Sequence, residues 1–155
     1  MAWVLSVKTT TESRQRKQIE ELTVKLADKS RLENFGLQEK CTGKAEEVFQ
    51  SLGYGGTKSN GDMSAYQSHF NTKLGKCFMA IESTTVTKNG NIVNSKFLLD
   101  AYEQREYAEY TWISRNNKKY WEVPPFICKL IPSTASEQFC KTEDEYNKFV
   151  TNYME

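Results

Sequence analysis

The sequence predicts an α+β domain, with helices at the two ends and an antiparallel meander between them. Three observations carry this. Apolar residues recur at helical spacing in the first fifty positions. From Cys77 the pattern turns to β-forming residues punctuated by an Asn-Gly turn. The last dozen residues return to helical spacing behind a capping box. Helices and strands are segregated along the chain, so a parallel βαβ architecture is not expected.

Residues 12–29 read as helix, because Ile19, Leu22 and Leu26 recur at i, i+3 and i+7 among Glu, Lys, Arg and Gln. Thr9 and Glu12 have capping-box spacing, which places the helix start there. The stripe suits either a short coiled-coil seam or a helix lying on the domain. Ser30 and Glu33 repeat the capping-box spacing and Gly36 weakens the helix, so a break is expected at 30–36. Leu37, Cys41, Ala45, Val48, Phe49 and Leu52 then mark a second amphipathic helix ending at Gly53. Gly53–Met63, with Gly55-Gly56 and Asn60-Gly61, reads as the most flexible loop.

The first strand is expected over Cys77–Val86. Asn89-Gly90 is a hairpin signal, read as a type I′ turn needing positive φ at both central residues. Ile92–Tyr102 is the return strand. Tyr107–Ser114 is the third, with Ala108, Tyr110 and Trp112 alternating against Glu109 and Thr111. Arg115–Lys118 is a polar turn, and Tyr120–Val123 and Phe126–Ile131 continue the sheet around Pro124-Pro125. Thr142 and Glu145 form a capping box, followed by Tyr146, Phe149, Val150 and Tyr153 on one face of a helix over 143–153. The expected architecture is N-terminal helices on a four- to five-stranded meander with a short C-terminal helix, cystatin-like or NTF2-like in outline. Residues 1–30 form a tail and helix that serves as a possible tether, and 31–155 form one domain.

Composition bounds the function. At 155 residues the chain is the size of one domain and long enough to bury a core. Twenty-one basic and 20 acidic residues are too balanced for a general nucleic-acid or anionic-membrane binder. Eight Tyr, eight Phe and three Trp mark a folded chain. No apolar run approaches the roughly 18–20 residues of a membrane span. The apolar start, Met1–Val7, lacks a basic n-region and a cleavage pattern. It reads as a tail or first strand, or as the trailing edge of an export or anchor segment whose beginning is missing. There is no N-glycosylation sequon.

The segments His69–Met79, Leu99–Tyr110 and Phe139–Tyr146 resemble a loose family of small bacterial secreted or lipoprotein-like proteins. Its members share an H-[YF]-N-x-K-L-x-[KR]-C-F segment, an acidic-aromatic D-A-[YF]-E run and a late Cys before a terminal helix. The resemblance covers about residues 37–155. It implies an extracytoplasmic compartment, periplasmic or secreted, and paired cysteines, and it implies no activity.

Cys41, Cys77, Cys128 and Cys140 are even in number, widely spread and free of any C-x-x-C pair, which favours two disulfides. Four cysteines allow three connectivities. The sequential one, Cys41–Cys77 with Cys128–Cys140, is preferred because the first bond would pin the second helix to the first strand. The second would tie the strand at 126–131 to the segment before the last helix. Four reduced, buried cysteines are the alternative. A zinc site would need closer ligands than cysteines twelve or more positions apart and one His, so no metal is expected.

Catalytic motifs are absent, and no cofactor is expected. Phosphate binding at Gly53–Gly56 lacks the flanking motif. A thiol hydrolase would have to pair Cys77 with His69, eight positions away, and His69 reads more simply as a residue at a loop-to-strand junction. A carboxylate hydrolase would draw on Asp100, Glu103, Glu106 and Glu109, which read more simply as a charged strand end neutralised by Arg105. Tyr107, Tyr110, Trp112, Tyr120 and Trp121 are the surface of interest. Alternate members fill a core, or Tyr110, Trp112, Tyr120 and Trp121 form an exposed binding face. Lys118-Lys119 beside them suggests single-stranded nucleic acid, which overall neutrality argues against. The favoured expectation is a non-catalytic binding or structural domain whose partner is an envelope protein or a small apolar ligand. The rival is a small thiol- or carboxylate-dependent hydrolase.

Overall fold

The computed structural model describes residues 3–55, 62–132 and 135–155, with side chains from residue 11 onward. The element order is α1 (Trp3–Ser51), β1 (Met63–Asn71), β2 (Lys76–Val86), β3 (Ile92–Asp100), β4 (Glu106–Ile113), a 3-10 turn (Tyr120–Glu122), β5 (Ile127–Leu130), β6 (Gln138–Phe139) and α2 (Glu143–Met154). The fold is α+β, with one antiparallel six-stranded meander in the order β1 to β6. The chain divides into two units, Met1–Leu37 and Gln38–Glu155.

The first unit is helical from Trp3. The break expected at 30–36 does not occur, and the two expected helices are one. Thr9 and Ser30 lie inside the helix rather than at caps. The capping-box spacing there has no chain reversal to cap. Gly36 costs about 1 kcal/mol relative to Ala without ending the helix. Ion pairs Lys29–Glu33 and Arg31–Asp28 lie in the turns before it, both exposed. Ile19, Leu22 and Leu26 are exposed on this segment. The reading of Met1–Val7 as a first strand is corrected from Trp3 onward, and Met1 and Ala2 lie outside the described residues.

The second unit is built on the parity of β2. Cys77, Met79 and Ile81 point to one face and pack with Cys41, Ala45, Val48 and Phe49 of α1. Phe78 and Ala80 point to the other, where Tyr146 and Tyr153 of α2 close a second core with Leu98, Ala108, Tyr110 and Trp112. The sheet is thus covered by helix on both faces. Burying each of Phe78, Met79 and Ile81 contributes about 1.5–3 kcal/mol. A bulge in β4 adds to the second core. Leu98 pairs Ala108 while Leu99 pairs Glu106, so Tyr107 is an extra residue. The local kink lets adjacent Tyr107 and Ala108 both enter the same core.

Strand β1 was not expected from the sequence. Its Ser64, Gln67, Ser68 and His69 are not strand formers, and only Tyr66 and Phe70 pack beneath α1. Its free edge is partly closed by one side chain. The Gln38 amide donates to Ser68 O at 3.2 Å and accepts from Phe70 N at 2.8 Å, taking the place of a neighbouring strand. Strand β6 was also missed, being two residues long, and six strands exceed the four or five expected. Tyr120–Val123 is not a strand but a 3-10 turn, with Val123 N donating to Tyr120 O at 3.2 Å. The Asn89-Gly90 hairpin is in place but is not type I′. Only Gly90 has positive φ, Gly90 N donates to Thr87 O, and Thr87 N donates to Asn91 O. This is the three-residue loop with a left-handed Gly at its end.

Helix α1 stops through a Schellman motif. Gly53 sits at φ +80 while Gly53 N donates to Gln50 O and Tyr54 N to Phe49 O. The rings of Phe49 and Tyr54 stack at 5.5 Å, which supplies the accompanying apolar contact. Residues 56–61 of the flexible loop expected at Gly53–Met63 lie outside the described residues. At α2, Thr142 Oγ1 accepts from Glu145 N at 3.2 Å, and Glu145 Oε2 accepts from Lys141 N at 2.9 Å. The tail is held by buried Asn71, whose Nδ2 donates to Tyr153 O and Glu155 O.

Each core holds one disulfide. Cys41–Cys77 spans 5.3 Å between Cα atoms and joins α1 to β2. Cys128–Cys140 spans 5.0 Å. Its half-cystines stand opposite each other where the β5–β6 register continues, with Cys140 N donating to Cys128 O at 2.9 Å. That bond fixes the chain two residues before the α2 N-cap. From loops of 36 and 12 residues, the Cys41→Ala/Cys77→Ala variant is expected to lose about 4 kcal/mol and the Cys128→Ala/Cys140→Ala variant about 3 kcal/mol. Urea unfolding of the three proteins checks this, and an unchanged midpoint in either variant contradicts the role given to that bond.

Candidate functional site

The aromatic residues singled out in the sequence do not form one face. Tyr107, Tyr110 and Trp112 point inward from β4 and are buried. The Trp112 indole N–H donates to Val123 O at 3.1 Å, so its polar atom is satisfied inside the core. Tyr120 and Trp121 lie on the 3-10 turn and are exposed, Trp121 by 75%. The expected binding face is therefore halved by strand parity: Tyr110 and Trp112 share the α2 side, whereas Tyr120 and Trp121 come from a separate turn laid over them. Tyr120 packs on Trp112 with ring centroids 4.8 Å apart.

This turn and the start of α2 enclose a cleft of about 410 Å³, lined by Tyr110, Tyr120, Trp121, Pro124, Pro125, Lys141 and Glu143, together with Glu122 and Asp144. A hydrogen-bond chain runs along its floor. Register places Glu82, Lys96 and Tyr110 side by side across β2, β3 and β4. Lys96 Nζ bonds Glu82 Oε1 at 3.0 Å and Glu143 Oε1 at 2.7 Å. The Tyr120 hydroxyl donates to the other Glu143 oxygen. With its one proton committed, Tyr120 accepts from the Tyr110 hydroxyl at 3.2 Å. Lys96 and Glu143 were not foreseen. Glu143 reads from sequence only as an acidic residue suited to a helix N-terminus, and Lys96 as an ordinary strand cation.

The electrostatics hold Tyr110, Tyr120, Lys96 and Glu143 each in its ordinary neutral-pH protonation state. Burial raises the Tyr110 and Tyr120 hydroxyls, and at Tyr120 the bonds to Glu143 and Tyr110 raise it further, so both stay protonated near neutrality. Burial alone would lower the Lys96 ammonium, but bonds to Glu143 and Glu82 outweigh it and the net direction is up. Burial alone would raise the Glu143 carboxyl, but bonds from Lys96 and Tyr120 outweigh it and hold it below 4.5. The shifts at Tyr110, Tyr120, Lys96 and Glu143 all run away from the range a general acid or base needs at neutral pH.

The other candidate chemistries are dispersed. All four cysteines are bonded, so none offers a thiolate. His69 pairs with Phe78 and Phe70 with Cys77, which puts His69 and Cys77 on opposite faces of the sheet. His69 stands within β1 rather than at a loop junction. The carboxylates divide between two lysines: Asp100 and Glu103 bond Lys76, while Glu106 and Glu109 bond Lys129. Arg105 lies over the Tyr107 ring at 5.0 Å. The disulfides occupy opposite faces of the sheet, so the four sulfurs do not converge on one point.

Set against family models, curated proteins and solved structures, the chain matches none. Among the described residues, no helix is long and apolar enough to cross a membrane.

Glu143 gives a pH test. Its folded-state pKa is depressed, so its contribution is present above 4.5 and is lost as pH falls through the lower folded value. Wild type is expected to exceed Glu143→Gln in stability by about 1 kcal/mol at neutral pH, with the gap closing below pH 4.5. Denaturant midpoints of both proteins measured from neutral to acidic pH check this, and a gap independent of pH contradicts the assignment.

Proposed function

We propose that this protein is a non-catalytic binding domain of an extracytoplasmic compartment, periplasmic or secreted, stabilised by its two disulfides. The observation that carries the reading is the placement of those bonds. One joins α1 to β2 and the other joins β5 to the segment leading into α2, each inside a separate core, and such bonds persist in oxidising compartments. The resemblance of the sequence motifs to bacterial, lipoprotein-like proteins agrees with that compartment.

Binding rather than catalysis is favoured by the cleft. An exposed indole and a half-exposed phenol are held beside polar side chains, and the Tyr110 and Tyr120 hydroxyls that line the cleft keep their protons near neutrality. Amphipathic aromatics on a rigid support give contact area at low entropic cost. The partner is a small ligand, or a surface group of an envelope protein, that fits this cleft.

Alkylation and intact mass, with and without reduction, test the compartment. Protein isolated from an exporting cell is expected to take no label before reduction and four labels after it. Four labels without reduction in the natural cell would place the chain in a reducing compartment and overturn the reading.

A further inference from the structure

The two disulfides differ in what must move before a thiolate can reach them. Cys41 and Cys77 are 0% and 1% exposed. Cys77 stands on β2, with β1 and β3 paired on either side, and the bond lies among Ala45, Val48, Met79 and Ile81. Reaching it means opening a whole core. Cys128 and Cys140 are also buried, at 6% and 8%, but Cys140 directly follows β6 at the outer edge of the sheet. Strand β6 is two residues long, both exposed, and is held to β5 by two residue pairs. Displacing it uncovers the bond while the second core stays packed. Opening a frayed edge costs far less free energy than opening a core.

The same contrast governs reclosure. Once reduced, Cys41 and Cys77 would still be held together by the packing of α1 on β2. Reduced Cys128 and Cys140 would be held together only by the short β5–β6 pairing and by Cys140 N donating to Cys128 O at 2.9 Å. Thiols that can separate re-form their bond less readily, so reduction is favoured at the edge.

The segment this bond holds leads directly to the cleft. Thr142 caps α2 two residues after Cys140, and Glu143 then bonds Lys96 and Tyr120. Lys141, Glu143 and Asp144 line the cleft. The rest of α2 is anchored elsewhere, by Tyr146 and Tyr153 in the second core and by Asn71 at the carbonyls of Tyr153 and Glu155. Loss of the bond therefore frees the first turn of α2 and leaves the helix docked.

We propose that Cys128–Cys140 is a thiol–disulfide exchange site for a dithiol reductant, and that it latches the cleft. A thiolate of the dithiol attacks the Cys140 sulfur, the Cys128–Cys140 bond breaks, and Cys128 leaves as a thiolate that takes a proton from water. The second thiol of the reductant, once deprotonated, attacks the mixed disulfide, and Cys140 leaves and is protonated in turn. Two electrons pass to the protein, and the dithiol ends as its own disulfide. With the bond open, Glu143 loses its fixed place beside Lys96 and Tyr120, and the cleft loses that wall. The consequence for ligand binding rests on the binding role proposed above, whereas the exchange itself does not.

The test uses the full oxidised chain with dithiothreitol as the dithiol. Samples are quenched at intervals with N-ethylmaleimide and read by intact mass and peptide mapping. A species with two labels, at Cys128 and Cys140, is expected to form at least about tenfold faster than the species with four. At the dithiothreitol level that holds the two-thiol species, ¹⁵N-labelled protein should show a shifted Trp121 indole N–H, identified by its loss in Trp121→Phe, and shifted amides at 141–144. Amides of 38–51 and β2 should stay in place. The Cys128→Ala/Cys140→Ala variant should show the same shifts without reductant. Labelling of Cys41 and Cys77 first, or four labels with no two-label species, overturns the exchange site. Two labels at Cys128 and Cys140 with Trp121 and residues 141–144 unmoved overturns the latch. None of these readouts involves a ligand or the natural cell, so either failure leaves the proposed binding role standing. Conversely, four labels without reduction in the natural cell would overturn the compartment and leave the order of reduction intact.

Discussion

Along β2 the side chains alternate between two cores, Phe78 and Ala80 toward α2 and Cys77, Met79 and Ile81 toward α1, and the packing of residues 38–155 follows from that parity. A strand buried on both faces has no polar side to give to solvent, which is why Lys76–Ile81 reads as a nearly continuous apolar run after its first residue. A shift of one position would send Cys77 to the face of α2 and Phe78 beneath α1, losing a disulfide and an aromatic cluster together. The disulfides match the same division. One fastens α1 to β2, and the other fixes the approach to α2, so each bond restrains one core.

The cleft is a consequence of the second core. Tyr110 and Trp112 are fixed by β4, and the turn carrying Tyr120 is laid upon them by ring packing and hydroxyl bonding. Helix α2 begins beside that turn because the Cys128–Cys140 bond and the Thr142 cap determine where it starts. Glu143, at the first position of α2, then reaches both Lys96 on β3 and Tyr120 on the turn. A surface group on one short turn is thereby tied to two strands and a helix, which gives the exposed Trp121 a firm base.

Much of this was legible in the sequence where the signal was local or periodic. The C-terminal helix was marked by its cap and by Tyr146, Phe149, Val150 and Tyr153. The hairpin was marked by Asn89-Gly90, and β4 by strict alternation. Strand β1 escaped because Ser, Gln and His carry no strand signal, and it forms because β2 and Gln38 satisfy its backbone. The supposed break in α1 failed because capping residues act only where the chain turns. Tyr120–Val123 was misread because aromatic content suggested a strand, whereas the chain closes there into a 3-10 turn through Val123 N donating to Tyr120 O. The binding face was half legible. Aromatic composition pointed to the region, but which rings face solvent depends on the register of β4. The partners Lys96 and Glu143, far apart in sequence, meet only through the sheet.

Native-state hydrogen exchange on the Cys41→Ala/Cys77→Ala variant tests most directly that two cores share one sheet. The account predicts that amides of residues 38–51 and β1 lose protection, whereas β4, β5 and α2 keep most of theirs. Uniform loss of protection across both faces would contradict it, because the sheet and its helices would then form a single core that one bond holds together.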